Sequence, residues 1–166
     1  GEAGPEITDN KLPVFWEVGM GAAEVDIDRE TGEVKLKKFI SVADVGKAIH
    51  PLQCKLQNEG SALAGLGSAL FEEMRFDNGQ PINCTFLDYL LPSMLDHPSE
   101  FQSRLVETPH PDGPCGAKGM GEAALPPTAP AIGNAIANAL NGARVRDLPV
   151  RPDKIVALLS TANAKS

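Results

Sequence analysis

A single carboxylate stands in a stretch of this chain otherwise nearly free of charge. Glu122 lies within Gly113–Ala131 (GPCGAKGMGEAALPPTAPA), where Lys118 is the only other charged residue. Gly and Pro at this density do not make an ordinary helix or strand. The stretch is also too apolar and too little charged for a disordered linker. It reads as a backbone shaped to approach something closely, with one acid aimed into it. If the loop is buried, desolvation raises the pKa of such a carboxylate, which suits general acid–base work near neutral pH. A glutamate at a helix start, set against the helix dipole, fits the same residue. The residues alone leave both readings open.

Other chemistries find less support. Gly119-Met120-Gly121-Glu122-Ala123-Ala124 matches the G-x-G-x-x-A fingerprint of dinucleotide sites. That fingerprint needs a buried strand directly before it and a helix directly after it. Here HPDGPCGAK precedes it and Pro126-Pro127 follow, so the context fails. His50, His97 and His110 are well separated and each precedes a proline, which suggests surface or capping roles. Cys54, Cys84 and Cys115 form no C-x-x-C pair, so a zinc ribbon or iron–sulfur site within the chain is not supported. Cys115 has no histidine placed by sequence to activate it and reads as a small buried thiol. No metal-ligand set is identified.

The loop needs a scaffold, and the preceding chain supplies one. Val25 and Ile27 alternate with acids, Glu30-Thr31-Gly32 makes a turn, and Val34, Leu36, Ile40 and Val42 share one parity of a second strand. Glu33, Lys35 and Lys37 lie on the other parity, so acids on the first strand and lysines on the second favour cross-strand pairing. Pro51 opens a helix to about Phe71, with Leu52, Leu56, Leu63, Leu66 and Leu70 as its core stripe. Its neighbouring face (Gln53, Gln57, Gly60, Ser61, Ala64, Ser68) is small and polar. It lets a backbone or a flat ligand come close and leaves the Gln57 amide free. Each helical Gly costs about 1 kcal/mol against Ala, so Gly60, Gly65 and Gly67 point to close packing first and ligand binding second.

A second hairpin is expected around Asp77-Asn78-Gly79 and a third strand over Phe101 to Glu107. After the loop, Thr128 is the expected N-cap of a helix carrying Ile132, Ile136 and Leu140 and stopping at Asn141-Gly142. A last short helix starts at Pro152-Asp153. Hairpins interleaved with about three to four helices predict an α+β fold with a mainly antiparallel sheet packed on helices.

The 166 residues suit one domain, read as a linker-like segment over 1–14 and a folded domain over 15–166. The start at Gly1 without an initiator Met suggests a piece of a larger protein or a processed subunit. A net charge of −7, with no basic stripe, argues against nucleic acid as a partner. No apolar run approaches a membrane span, no signal-peptide pattern opens the chain, and the unpaired cysteines fit a reducing, cytoplasmic compartment.

GAKGMGEAALPPTAPAIGNAIANAL resembles the C-terminal motif of the molybdenum hydroxylases, the family of xanthine oxidase, aldehyde oxidase and carbon monoxide dehydrogenase. AAEVDIDRETGEVKLKKFISVADVGKAIHP, QNEGSALAGLG and RVRDLPVRPDKI resemble that family's hairpin, cofactor helix and tail, in order and in spacing. The resemblance covers nearly the whole chain from about Phe15.

The resemblance implies roles that spacing does not. Glu122 would be the base beside molybdenum. Gln57 would hydrogen-bond the molybdopterin. Lys118, Gly119, Met120 and Gly121 would bring backbone amides to the cofactor. Metal held by the pterin needs no His or Cys ligand. The cofactor implied is molybdopterin, of which the cytosine dinucleotide form is common in bacterial members, with iron–sulfur clusters and FAD on partner domains or subunits. The reaction implied is hydroxylation of an aldehyde or N-heterocycle with water-derived oxygen. The family's earlier cofactor motifs are missing, so the remainder of the molybdenum subunit is an implied partner. The competing reading is a non-catalytic fragment or split subunit that completes a cofactor site on another chain.

Overall fold

The hairpin around Gly32 forms as the alternation predicts. The computed structural model describes residues 17–163, so the linker-like reading of 1–14 lies outside the described residues. Strand β1 (Val18–Ile27) runs antiparallel to β2 (Val34–Asp44). Asp28 closes the turn by accepting the Glu30 and Thr31 amides at 2.8 and 3.1 Å, the local side-chain bond that makes Asp a turn former.

β2 does not keep one parity. Glu24 pairs with Lys38 while Val25 pairs with Leu36, so Lys37 is an extra, bulged residue. Beyond it the buried positions become Phe39, Ser41 and Ala43. Ile40 and Val42, expected on the face of Leu36, fall on the opposite one, because one inserted residue inverts a period of two. Asp26 stands opposite Lys35 and Glu24 opposite Lys38, yet the ion pairs run from Lys35 to Glu33 (3.5 Å) and from Lys38 to Glu100 (2.7 Å).

Helix α1 (Pro51–Leu70) follows, capped by His50, whose Nδ1 accepts the Gln53 amide at 3.2 Å. The leucine stripe is only half correct. Leu66 and Leu70 are buried, whereas Leu52 and Leu56 are 63% and 57% exposed. The buried side of α1 begins at Asn58, so its first two turns project beyond the partners that cover the rest. Asn58 is fully buried and donates from Nδ2 to Ser41 and Ser103 at 2.9 Å each, a polar link between helix and sheet.

The second hairpin shrinks to β3 (Phe76–Asp77) and β4 (Gln80–Pro81), with Asn78 and Gly79 both at positive φ. The chain then returns as β5 (Glu100–Val106), which lies parallel to β2 and gives the sheet order β1-β2-β5. The crossover through α1 supplies the length a parallel neighbour needs. The fold is α+β, antiparallel in its hairpins and parallel at β5.

Helix α2 (Leu125–Ala139) starts earlier than expected, with Ala124 at its N-cap. Thr128 is not the cap. It is buried one turn inside, donating its hydroxyl to the Ala124 carbonyl at 2.6 Å. Pro126 and Pro127 suit a first turn whose amides have no helical partner. The helix ends as predicted: Asn141 takes φ +53°, and the Gly142 amide reaches back to Ala137 at 2.7 Å, a Schellman closure. Helix α3 (Pro152–Asn163) adds Ile155 and Leu159 to a core built from Leu36, Phe39, Leu66, Ile132 and Ile136. α1 and α2 meet closely at Gly65, where a Cβ would lie 2.6 Å from Thr128 Cβ. Close packing is therefore the reason for that glycine. No helix among the described residues is long and apolar enough to cross a membrane.

Candidate functional site

The ends of β2 and β5 lie side by side, and the glycine-rich loop springs from them. Asp44, the last residue of β2, holds three parts of the chain together. Its Oδ1 accepts the Gly46 and Thr108 amides at 3.0 and 3.2 Å, and its Oδ2 accepts from Lys118 Nζ at 2.8 Å. The Lys118 and Asp44 side chains are only 12% and 19% exposed. Burial pushes the Asp44 carboxyl up, but the Lys118 ammonium and the Gly46 and Thr108 donors outweigh it and hold the pKa at about 2.

Gly46 lets the loop dock. It takes φ +63° and bridges antiparallel to Ala117, and a Cβ there would stand 2.9 Å from the Lys118 nitrogen. The Lys118 amide donates to the Val45 carbonyl at 2.9 Å. Lys118 thus spends both its amide and its ammonium on protein partners, unlike the glycines that follow it.

Past Lys118 the backbone opens. The amides of Gly119, Met120 and Gly121 donate to no other group among the described residues. Gln57, one turn before the middle of α1, donates from Nε2 to the Gly121 carbonyl at 2.8 Å. Around this contact lies an open cleft of about 610 Å³ lined by Ile49, His50, Gln53, Leu56, Gln57 and Met120. A Cβ on Gly60 or Gly121 would meet nothing within 4 Å. Of the residues singled out from sequence, Gln57, Met120 and Gly121 come together here, with Gly119 adjoining in the chain.

Glu122 follows directly but is exposed, while Ala123 and Ala124 beside it are buried. The condition for desolvating this acid is therefore not met by the chain itself. Its carbonyl accepts the Leu125 amide at 3.0 Å, so it stands at the entrance to α2, where both readings of a helix-start acid still apply. Cys115 is exposed at φ +54°, not the buried thiol expected, because the turn at Pro114–Gly116 faces outward. Among the described residues no three His, Cys, Asp or Glu side chains form a group that could hold a metal.

Two residues of the site escape a reading by sequence. Asp44 was legible only as an acid among apolar neighbours at a strand end. Glu17, just before β1, gave no local signal, since the loop it touches lies about a hundred residues away.

Known proteins share both sequence and shape with this chain. Residues 4–98 match a protein-family model described as a molybdopterin cofactor-binding domain. The nicotine 6-hydroxylase large subunit of Paenarthrobacter nicotinovorans is 38% identical over 93% of this chain, which spans 20% of that protein. The aldehyde oxidoreductase molybdenum-binding subunit PaoC of Escherichia coli K12 is 35% identical over 80% of the chain, against 18% of its own length. Among solved structures, the aldehyde oxidoreductase of Desulfovibrio gigas superposes with a TM-score of 0.80 at 32% identity, covering 89% of this chain and 16% of that one. The chain spans about a fifth of the length of these curated relatives. A family match over more than half of the chain, carried on the same fold, makes it a member of the molybdopterin-binding subunits of the xanthine oxidase family.

Proposed function

We propose that this chain is the part of a molybdenum hydroxylase that carries the base, Glu122, and a share of the molybdopterin contacts. The observation that carries the reading is the Gln57–Gly121 contact beside an open cleft, next to three backbone amides that have no partner among the described residues. Gly119 and Gly121 are exposed and Met120 half-buried, so these donors stand open at one face and suit a ligand with several acceptor atoms. A flat pterin fits the small-residue surface at Gly60 and Gly121. When bound, the group supplies two-electron redox chemistry at molybdenum, the metal being held by the pterin.

The chain's own residues then have defined tasks. Gln57 and the amides of Gly119, Met120 and Gly121 hold and orient the cofactor. Lys118 acts one step back, fixing the loop through Asp44. Glu122 would take a proton from the water-derived oxygen as it replaces a hydrogen on a carbon of the substrate, an aldehyde or an N-heterocycle, the two electrons of the broken C–H bond being accepted by the bound group. The relatives named for nicotine hydroxylation and aldehyde oxidation support that substrate range. The cytosine dinucleotide form of the cofactor, and iron–sulfur clusters and FAD on partner domains or subunits, belong to the same reading.

The remainder of the molybdenum subunit completes the site. Glu122 is exposed here, and Phe86, Leu87, Met94 and Leu95 are 82%, 89%, 83% and 95% exposed. Large apolar side chains this exposed within one ten-residue segment suit a surface that another body covers. The experiment is deletion of this segment from the complete subunit, followed by supply of the 166-residue chain in trans. Loss of molybdenum on deletion and its return on complementation are expected. Full molybdenum content without the segment would refute the reading. The second reading, a module that completes the cofactor site without doing chemistry, shares these outcomes and parts from the first only at Glu122.

A further inference from the structure

Glu17 sits behind the loop that carries Glu122. Its carboxylate lies against Gly119, where a Cβ would stand 3.2 Å from Oε2. The amides of Ala123 and Glu122 face it, while Oε1 is buried with no hydrogen-bond partner among the described residues. Gly19, two residues on, has no room for a side chain against the Ala123 carbonyl, so the start of β1 is pressed onto this part of the loop. Burial raises the pKa of Glu17, the two amides oppose the rise, and the Glu122 carboxylate adds to it.

A carboxylate half withdrawn from water costs stability unless its neighbours repay it. The neighbours here are the two amides on either side of the Glu122 α-carbon, and neither has another backbone partner among the described residues. Those two peptide planes decide where the Glu122 side chain points. The glycines before them give the loop little stiffness of its own.

We propose that Glu17 is a positioning residue, holding through the amides of Glu122 and Ala123 the peptide on which Glu122 is mounted. Its functional half rests on the reading of Glu122 as the base, while its structural half does not.

The test uses the complete molybdenum enzyme with Glu17→Leu and Glu17→Gln. Amide hydrogen exchange is read over residues 117–125, and kcat and KM are measured per bound molybdenum. Loss of one charge-assisted acceptor is worth roughly tenfold. Glu17→Leu should therefore raise exchange at Glu122 and Ala123 and lower kcat by about that factor, with KM and molybdenum content held. Glu17→Gln keeps a carbonyl acceptor and should stay within about threefold of the parent in both measures. Unchanged exchange in Glu17→Leu overturns the proposal, as does a Glu17→Gln as damaged as Glu17→Leu. Should Glu17→Leu not assemble, Glu17→Asp, which draws the carboxylate back by one methylene, is held to the criteria set for Glu17→Leu. Raised exchange with unchanged kcat would remove the functional half alone. The base reading itself falls separately, on Glu122→Gln.

Discussion

Gln57 Nε2 donates to the Gly121 carbonyl at 2.8 Å, joining α1 to the glycine-rich loop across 64 residues of sequence. The bond is exposed, so it adds only about 0.5–1.5 kcal/mol to stability. Its larger consequence is to place an amide side chain and an open stretch of backbone at one rim. Gln57→Leu in the complete enzyme should leave the melting temperature nearly unchanged and lower the molybdenum content several-fold. Metal analysis of the purified variant checks this, and parental content in Gln57→Leu would remove Gln57 from the cofactor site.

The Asp44–Lys118 pair makes a prediction about pH. The folded-state pKa of Asp44 is depressed to about 2 from an ordinary 3.8. Its stabilising contribution is therefore complete above pH 3.8 and is lost as pH falls from there through about 2. A shift of that size corresponds to about 2 kcal/mol. Asp44→Asn should lose roughly this much at pH 7 and show a correspondingly smaller loss of stability in acid, measured by urea unfolding at each pH. Equal acid sensitivity in variant and parent would mean that the pair does not stabilise the fold.

Two glycines of α1 should respond in opposite directions. A Cβ on Gly65 would lie 2.6 Å from Thr128 Cβ and 2.9 Å from the Leu125 carbonyl oxygen, whereas one on Gly60 meets nothing within 4 Å. Gly65→Ala should destabilise the chain by about 1–3 kcal/mol through overpacking. Gly60→Ala should stabilise it by up to about 1 kcal/mol through helix propensity. Unfolding midpoints of the two variants decide the matter, and a tolerated Gly65→Ala would contradict the close α1–α2 contact.

The sequence made the order of elements legible, and its misses have physical causes. Alternation located β1 and β2, but no pattern marks the bulge at Lys37 that carries Phe39, Ser41 and Ala43 to the inside. The leucine period located α1, yet periodicity cannot say how far the partner elements extend, so Leu52 and Leu56 looked like core and are exposed. Thr128 has the chemistry of a cap, but the prolines ahead of it already fit the first turn, and its hydroxyl turned inward to Ala124. At the site, the contact between Gln57 and Gly121 was within reach because both stand in uncommon local sequence. Asp44 and Glu17 act through tertiary neighbours and left almost no local trace.

The most direct test of the central claim is turnover per bound molybdenum in the complete enzyme carrying Glu122→Gln. The amide keeps the shape of the side chain and removes its basicity. Molybdenum content should match the parent, while turnover per molybdenum should fall by about two to four orders of magnitude, the usual worth of a positioned base. Turnover within about threefold of the parent would contradict the role of Glu122 as the base and leave this chain as a module that completes the cofactor site.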